Sequence, residues 1–166
     1  PNTIGIPVER ADEQIKQIYD LSWLLKFNWG NIDMQRVRKS FLARAKSEAH
    51  QRSLTANMAD IFSDMMAQMK QLSIMDLEND KGLLKRINDF QSLYVRKELN
   101  RSPAEWAVVG AKIHLLLWYL SRNQDAKSPF DSLFQCERSL EFDHLQGAEK
   151  GRLARRFREE FSKDFE

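Results

Sequence analysis

The chain has 166 residues, 42% of them hydrophobic and 30% charged, with 26 Lys or Arg against 24 Asp or Glu and a net charge of +2. That length suggests one domain with a real core, and that balance excludes a disordered chain or a membrane protein. Four prolines, six glycines and few β-branched residues favour an all-helical chain, and the single cysteine, Cys136, excludes an internal disulfide.

Residues 1–7 form an apolar lead containing Pro1, Gly5 and Pro7, expected to be irregular. A first helix follows, with Val8, Ala11, Ile15, Ile18, Ser22, Leu25 and Trp29 recurring at intervals of three and four. Leu21 and Leu24 widen its stripe, and Gly30 is a natural residue just past its end. Asp33 is the expected cap of a second helix over about 34–51. Met34, Val37, Phe41, Leu42, Ala45 and Ala49 make its apolar side, and Arg36, Lys39, Arg44, Lys46 and His50 fall opposite. From Met34 to Arg52 there are six Arg or Lys against one acid, Glu48, which gives +5, the strongest local charge bias in the chain.

Ser53 or Thr55 is expected to start a third helix, whose stripe is Leu54, Met58, Ile61, Phe62, Met65, Met69 and Leu72. Four of the six methionines lie here, read first as core filler and second as an adaptable partner groove. Residues 73–82 read as a linker or turn. A fourth helix carries Leu83, Leu84, Ile87, Phe90, Leu93 and Tyr94 and is expected to end near Asn100.

The segment SPAEWAVVGAKIHLLLWYLSR, 102–122, is the most apolar run in the chain. Ser102, Pro103 and Glu105 spell a helix start with a capping box. From Trp106 to Leu120 only Gly110, Lys112 and His114 interrupt the apolar residues, so the helix needs neighbours on nearly every side. Glu105, Lys112 and Arg122 bound and break the run below the about 20 residues a membrane span requires, and Gly110 marks an expected close crossing. Beyond a polar loop, Ser128, Pro129 and Asp131 start a sixth helix to about Leu145. After Gly147, a last helix spaces Leu153, Phe157, Phe161 and Phe165 four apart, with Arg155 and Arg156 among its basic residues.

Catalytic and metal signatures are weak. Glu141 and His144 have the spacing of a di-iron half-site, but neither His50 nor His114 supplies the second half. Cys136 has no Gly-rich turn beside it, and there is no P-loop, dinucleotide fingerprint or G-x-S-x-G. Arg44 with His50, and Arg138 with His144, form a short Arg-then-His pattern. It resembles that of the all-helical HEPN ribonucleases, although Ala45 and Ser139 stand where that family often has Asn or Asp. The resemblance covers seven residues at each place. It implies a His base beside a charge-stabilising Arg, paired across a dimer and working without metal.

The expectation is therefore an all-α, single compact bundle of six or seven helices around a buried helix at about 103–122. It is read as a cytoplasmic, non-enzymatic accessory or adaptor protein with no cofactor and no membrane association. Small helical subunits of bacterial ribonucleoprotein assemblies share its size and charge. The candidate site is a set of cations for a phosphate backbone, in RNA or single-stranded DNA: Arg36, Lys39, Arg44, Lys46, His50 and Arg52, helped by Arg155 and Arg156. Trp23, Phe27 and Trp29 precede the basic helix as candidate stacking surfaces. The alternatives are a HEPN-like ribonuclease and a bundle that binds a protein partner or a second copy of itself.

Overall fold

The computed structural model describes residues 11–28, 32–51, 57–74 and 81–122. They form five α-helices: α1 (Ala11–Asn28), α2 (Met34–Gln51), α3 (Met58–Ile74), α4 (Lys81–Tyr94) and α5 (Pro103–Arg122). A short 3₁₀ turn, Lys97–Leu99, joins α4 to α5. Among the described residues there is no strand, so the class is all-α. Five helices, not six or seven, are seen there. The helices expected over 128–145 and beyond Gly147 lie outside the described residues.

α5 starts as its sequence dictates. The Ser102 N–H donates to Glu105 Oε2 at 2.7 Å, and the Glu105 N–H donates back to Ser102 Oγ at 3.3 Å. Two N–H groups that the helix cannot pair are thereby satisfied. All six residues of 106–111 are buried, with Trp106 at 0% exposure. Six consecutive positions at about 100° each sweep the whole circumference, so this part of α5 is enclosed on every side.

The most extensive pairing among the described helices is α3 on α5. It is made possible by Gly110. A Cβ there would stand 2.8 Å from the backbone N of Ser73 and 3.0 Å from Leu72 Cβ. Leu72 is itself almost fully buried. Met69 is buried, and Met65 and Met66 pack half-buried against the core.

α1 packs on α4 and α5. Arg101 ties the three together. Its guanidinium lies 4.8 Å from the ring centre of Tyr19, 5.4 Å from Trp23 and 5.6 Å from Trp106, and donates to Ser22 Oγ at 2.6 Å. Buried Gln91 completes the junction. Its Oε1 accepts from the Arg101 N–H at 2.6 Å and from Trp106 Nε1 at 3.2 Å, while its Nε2 donates to the Arg101 carbonyl at 3.3 Å. A buried amide with both ends bonded carries little penalty.

Four boundaries and faces differ from the sequence reading. α3 is capped by Asn57, whose Oδ1 accepts from the Ala59 N–H at 3.0 Å; Ser53 and Thr55 lie outside the described residues. The stretch 73–82 is not all linker. Ser73 and Ile74 finish α3, and Lys81 and Gly82 begin α4. The Ser73 hydroxyl donates to the Lys70 carbonyl at 2.7 Å, which lets a polar residue end a helix in a buried place. α4 stops at Tyr94, short of Asn100. Leu24, Val37, Leu93 and Tyr94, expected on inward stripes, are exposed. Val8, Trp29 and Gly30 of the first helix's pattern lie outside the described residues.

Candidate nucleic-acid interface

α2 begins at its expected cap. The Arg36 N–H donates to Asp33 Oδ1 at 3.0 Å, and the Val37 N–H to the Asp33 carbonyl at 2.9 Å. Met34, Ala45 and Ala49 are buried, and Phe41 sets its ring 5.0 Å from that of Phe62 on α3. These contacts fix which way the helix is rolled. Arg36, Lys39, Arg44, Lys46 and His50 are accordingly exposed.

Those five do not form one equivalent set. At about 100° per residue, Arg36, Lys39, Lys46 and His50 fall within an arc of about 80°. Arg44 lies on the far side of Arg36 from the other three. Its Nη2 is 2.5 Å from Glu48 Oε1, one helical turn on, so its charge is answered locally. Among the described residues, Arg36, Lys39 and Lys46 are joined to no carboxylate. A shallow concavity of about 740 Å³ opens over them, lined also by Asp33, Arg38 and Leu42. Arg52, Arg155 and Arg156 lie outside the described residues.

The sixth cation of the segment, Arg38, has another task. It sits at about 200° from Arg36, on the apolar side of α2. Half-buried, its Nε donates to the Leu120 carbonyl at 2.7 Å. That carbonyl belongs to the last turn of α5, where helix geometry leaves C=O groups without intrahelical partners. A cation there also faces the negative end of the helix dipole. The angular position of Arg38 was visible in the sequence; the carbonyl it reaches was not.

The last turn of α5 carries a second feature that sequence reading missed. The exposed Arg122 lays its guanidinium 4.2 Å from the ring centre of Trp118, which is itself edge-on to Tyr119 at 4.9 Å. The aromatic residues proposed as stacking surfaces are placed differently. Trp23 is engaged with Arg101 in the α1–α5 junction. The side chain of Phe27 and the whole of Trp29 lie outside what the structure describes.

Arg44 and His50 are not brought together. Six residues along a helix separate them by about 120° of turn and about 9 Å of rise. Arg138, Glu141, His144 and Cys136 lie outside the described residues. His114 is a core residue at 6% exposure, and burial, with the nearby Lys70 charge second, lowers its pKa to about 4. No group of three or more His, Cys, Asp or Glu among the described residues is arranged to hold a metal. None of the described helices is long and apolar enough to cross a membrane. Comparison with known proteins gives no match to a family model, a curated protein or a solved structure.

Proposed function

We propose that the protein is a non-enzymatic accessory or adaptor component of a larger assembly, and that the exposed basic strip of α2 holds the phosphate backbone of RNA or single-stranded DNA. The observation that carries this reading is the grouping of Arg36, Lys39 and Lys46. They share one arc of the helix, line one concavity and are joined to no carboxylate among the described residues. Three cations without local partners attract a polyanion and release its counterions on contact. Arg44 contributes less, since Glu48 already holds it.

The test is the salt dependence of binding to single-stranded RNA and DNA. Reversing Arg36, Lys39 and Lys46 to Glu is expected to remove most of the affinity. It should also flatten the plot of log affinity against log salt by about 2, the value for three phosphate contacts on a single strand. Unchanged affinity in that triple variant would end the proposal. A protein-interaction role is favoured by the exposure of Leu93 and Tyr94, at 73% and 71%. A mass that rises with concentration, in a protein without affinity for nucleic acid, would select it instead.

A further inference from the structure

The concavity over the basic strip has cations at both of its edges. Arg36 stands at one edge, and Lys39, Lys46 and Leu42 follow round the helix. Arg38 lines the other edge, about 160° from Arg36 counted the short way round. It is half-buried, and its Nε donates to the Leu120 carbonyl at 2.7 Å. A guanidinium has five N–H donors, so four remain. Among the described residues, none of those four has a partner. We infer that Arg38 is the anchored member of the phosphate-binding set: its Nε holds the end of α5 while its terminal Nη groups clamp one phosphate at the inner edge of the concavity. This rests on the phosphate-binding reading of α2 and adds the residue that fixes where along the helix the strand sits.

The chemistry follows from the guanidinium and its setting. Two parallel N–H groups match the two non-bridging oxygens of a phosphodiester, a geometry that a lysine ammonium does not offer. Arg36, Lys39 and Lys46 are exposed, so each must be ordered out of many rotamers when it meets an anion. Arg38 is held by the Leu120 carbonyl before the ligand arrives and loses less freedom. Half-burial withholds water from its remaining donors and strengthens the bonds an anion supplies. Asp33 also lines the concavity, with its Oδ1 already accepting from the Arg36 N–H. Arg36, Arg38, Lys39 and Lys46 set four positive charges against that one carboxylate, so the described lining carries +3.

The probe is oligothymidylate, titrated against the full chain at several salt concentrations. Arg38→Lys keeps the charge but has one head for two tasks. Whichever partner the lysine takes in the complex, one bond that the wild type keeps is lost. Affinity should fall about 10- to 100-fold, the worth of one hydrogen bond to a charged group, with the salt slope unchanged. Arg38→Ala should fall at least as far and flatten the slope by about 0.7, the share of one phosphate on a single strand. Displacement of the whole of α2 would instead flatten the slope in Arg38→Lys too, because Arg36, Lys39 and Lys46 would leave their places. Arginine side-chain NMR of the wild type supplies a check that needs no variant. At saturation the Arg38 Nη signals should shift while its Nε–H stays bonded. Wild-type affinity in Arg38→Lys, a flattened slope in that variant, or Arg38 Nη signals that oligothymidylate leaves unmoved overturns the inference and leaves the α2 strip standing. No binding by the wild type, or unchanged affinity on reversing Arg36, Lys39 and Lys46 to Glu, overturns both.

Discussion

Gly82 and Gly110 are both helical, and a methyl group would meet opposite surroundings at the two. At Gly82 nothing lies within 4 Å of an added Cβ. Gly82→Ala should therefore show only the gain from a stiffer unfolded chain and better helix propensity, about 0.5 kcal/mol so near the helix start. At Gly110 the same gain, about 1 kcal/mol in a helix interior, is opposed by contacts of 2.8 Å and 3.0 Å. One of these is with the backbone of Ser73, which moves only if α3 moves. Overpacking of this kind costs about 1–3 kcal/mol. The net expectation is a loss of up to about 2 kcal/mol, read as a lower urea midpoint. A rise in the midpoint for Gly110→Ala would mean that the α3–α5 crossing is looser than described.

His114 gives the second residue-scale prediction. Its folded pKa is lowered to about 4 from 6.5. Between those values the unfolded chain holds a proton that the folded chain does not. Stability is therefore fullest above pH 6.5, falls as the pH drops, and stops falling on this account below about 4. The loss is bounded by about 3 kcal/mol. Carboxylates also titrate at the lower end, so the useful quantity is the difference from His114→Gln, which should show a shallower fall between pH 6.5 and 5. Proton NMR of the histidine rings gives a direct check: His114 should remain neutral at pH 5.5. A ring that titrates near 6.5 would contradict its burial against α3.

At the scale of elements, the sequence is most readable where local chemistry sets the outcome. Asp33 defines the start of α2, and the Ser102–Glu105 box defines the start of α5. The end of α4 is different. Apolar residues continue at Val95 and Leu99, so periodicity alone prolongs the helix. The chain turns at Tyr94 because Gln91 reaches forward to both backbone groups of Arg101 and holds the corner closed. No local pattern announces that a glutamine will be buried as a clasp. Ser73 is misread for the same reason, since its polarity suggests a linker while its position under Gly110 makes it core. The candidate site divides similarly. The exposure of Arg36, Lys39 and Lys46 follows from the helical wheel. The diversion of Arg44 to Glu48 and the use of Arg38 to cap α5 depend on partners that spacing does not rank.

Across the described residues, stability is unevenly shared. α5 is enclosed by its neighbours over 106–111 and pairs broadly with α3. α2 meets the other described helices at few points, and only Met34, Ala45 and Ala49 are buried on it. Two of those three are alanines, which bury little area and contribute correspondingly little. Local opening should therefore release α2 before the α3–α5 pair. In native-state hydrogen exchange, amides over 106–117 are expected to exchange only through global unfolding. Those of α2 should exchange at least 10-fold faster, a gap of about 1.4 kcal/mol. A ligand seated on the basic strip stabilises only states in which α2 is folded. Saturating single-stranded oligonucleotide, at about 100 times its Kd, should slow α2 exchange by up to about 2.7 kcal/mol. Over 106–117 the slowing is the same or smaller, because global unfolding also releases the ligand. If α2 exchanges as slowly as α5 in the free protein, the basic helix is part of the global folding unit. Oligonucleotide could then add protection only by stabilising the whole fold.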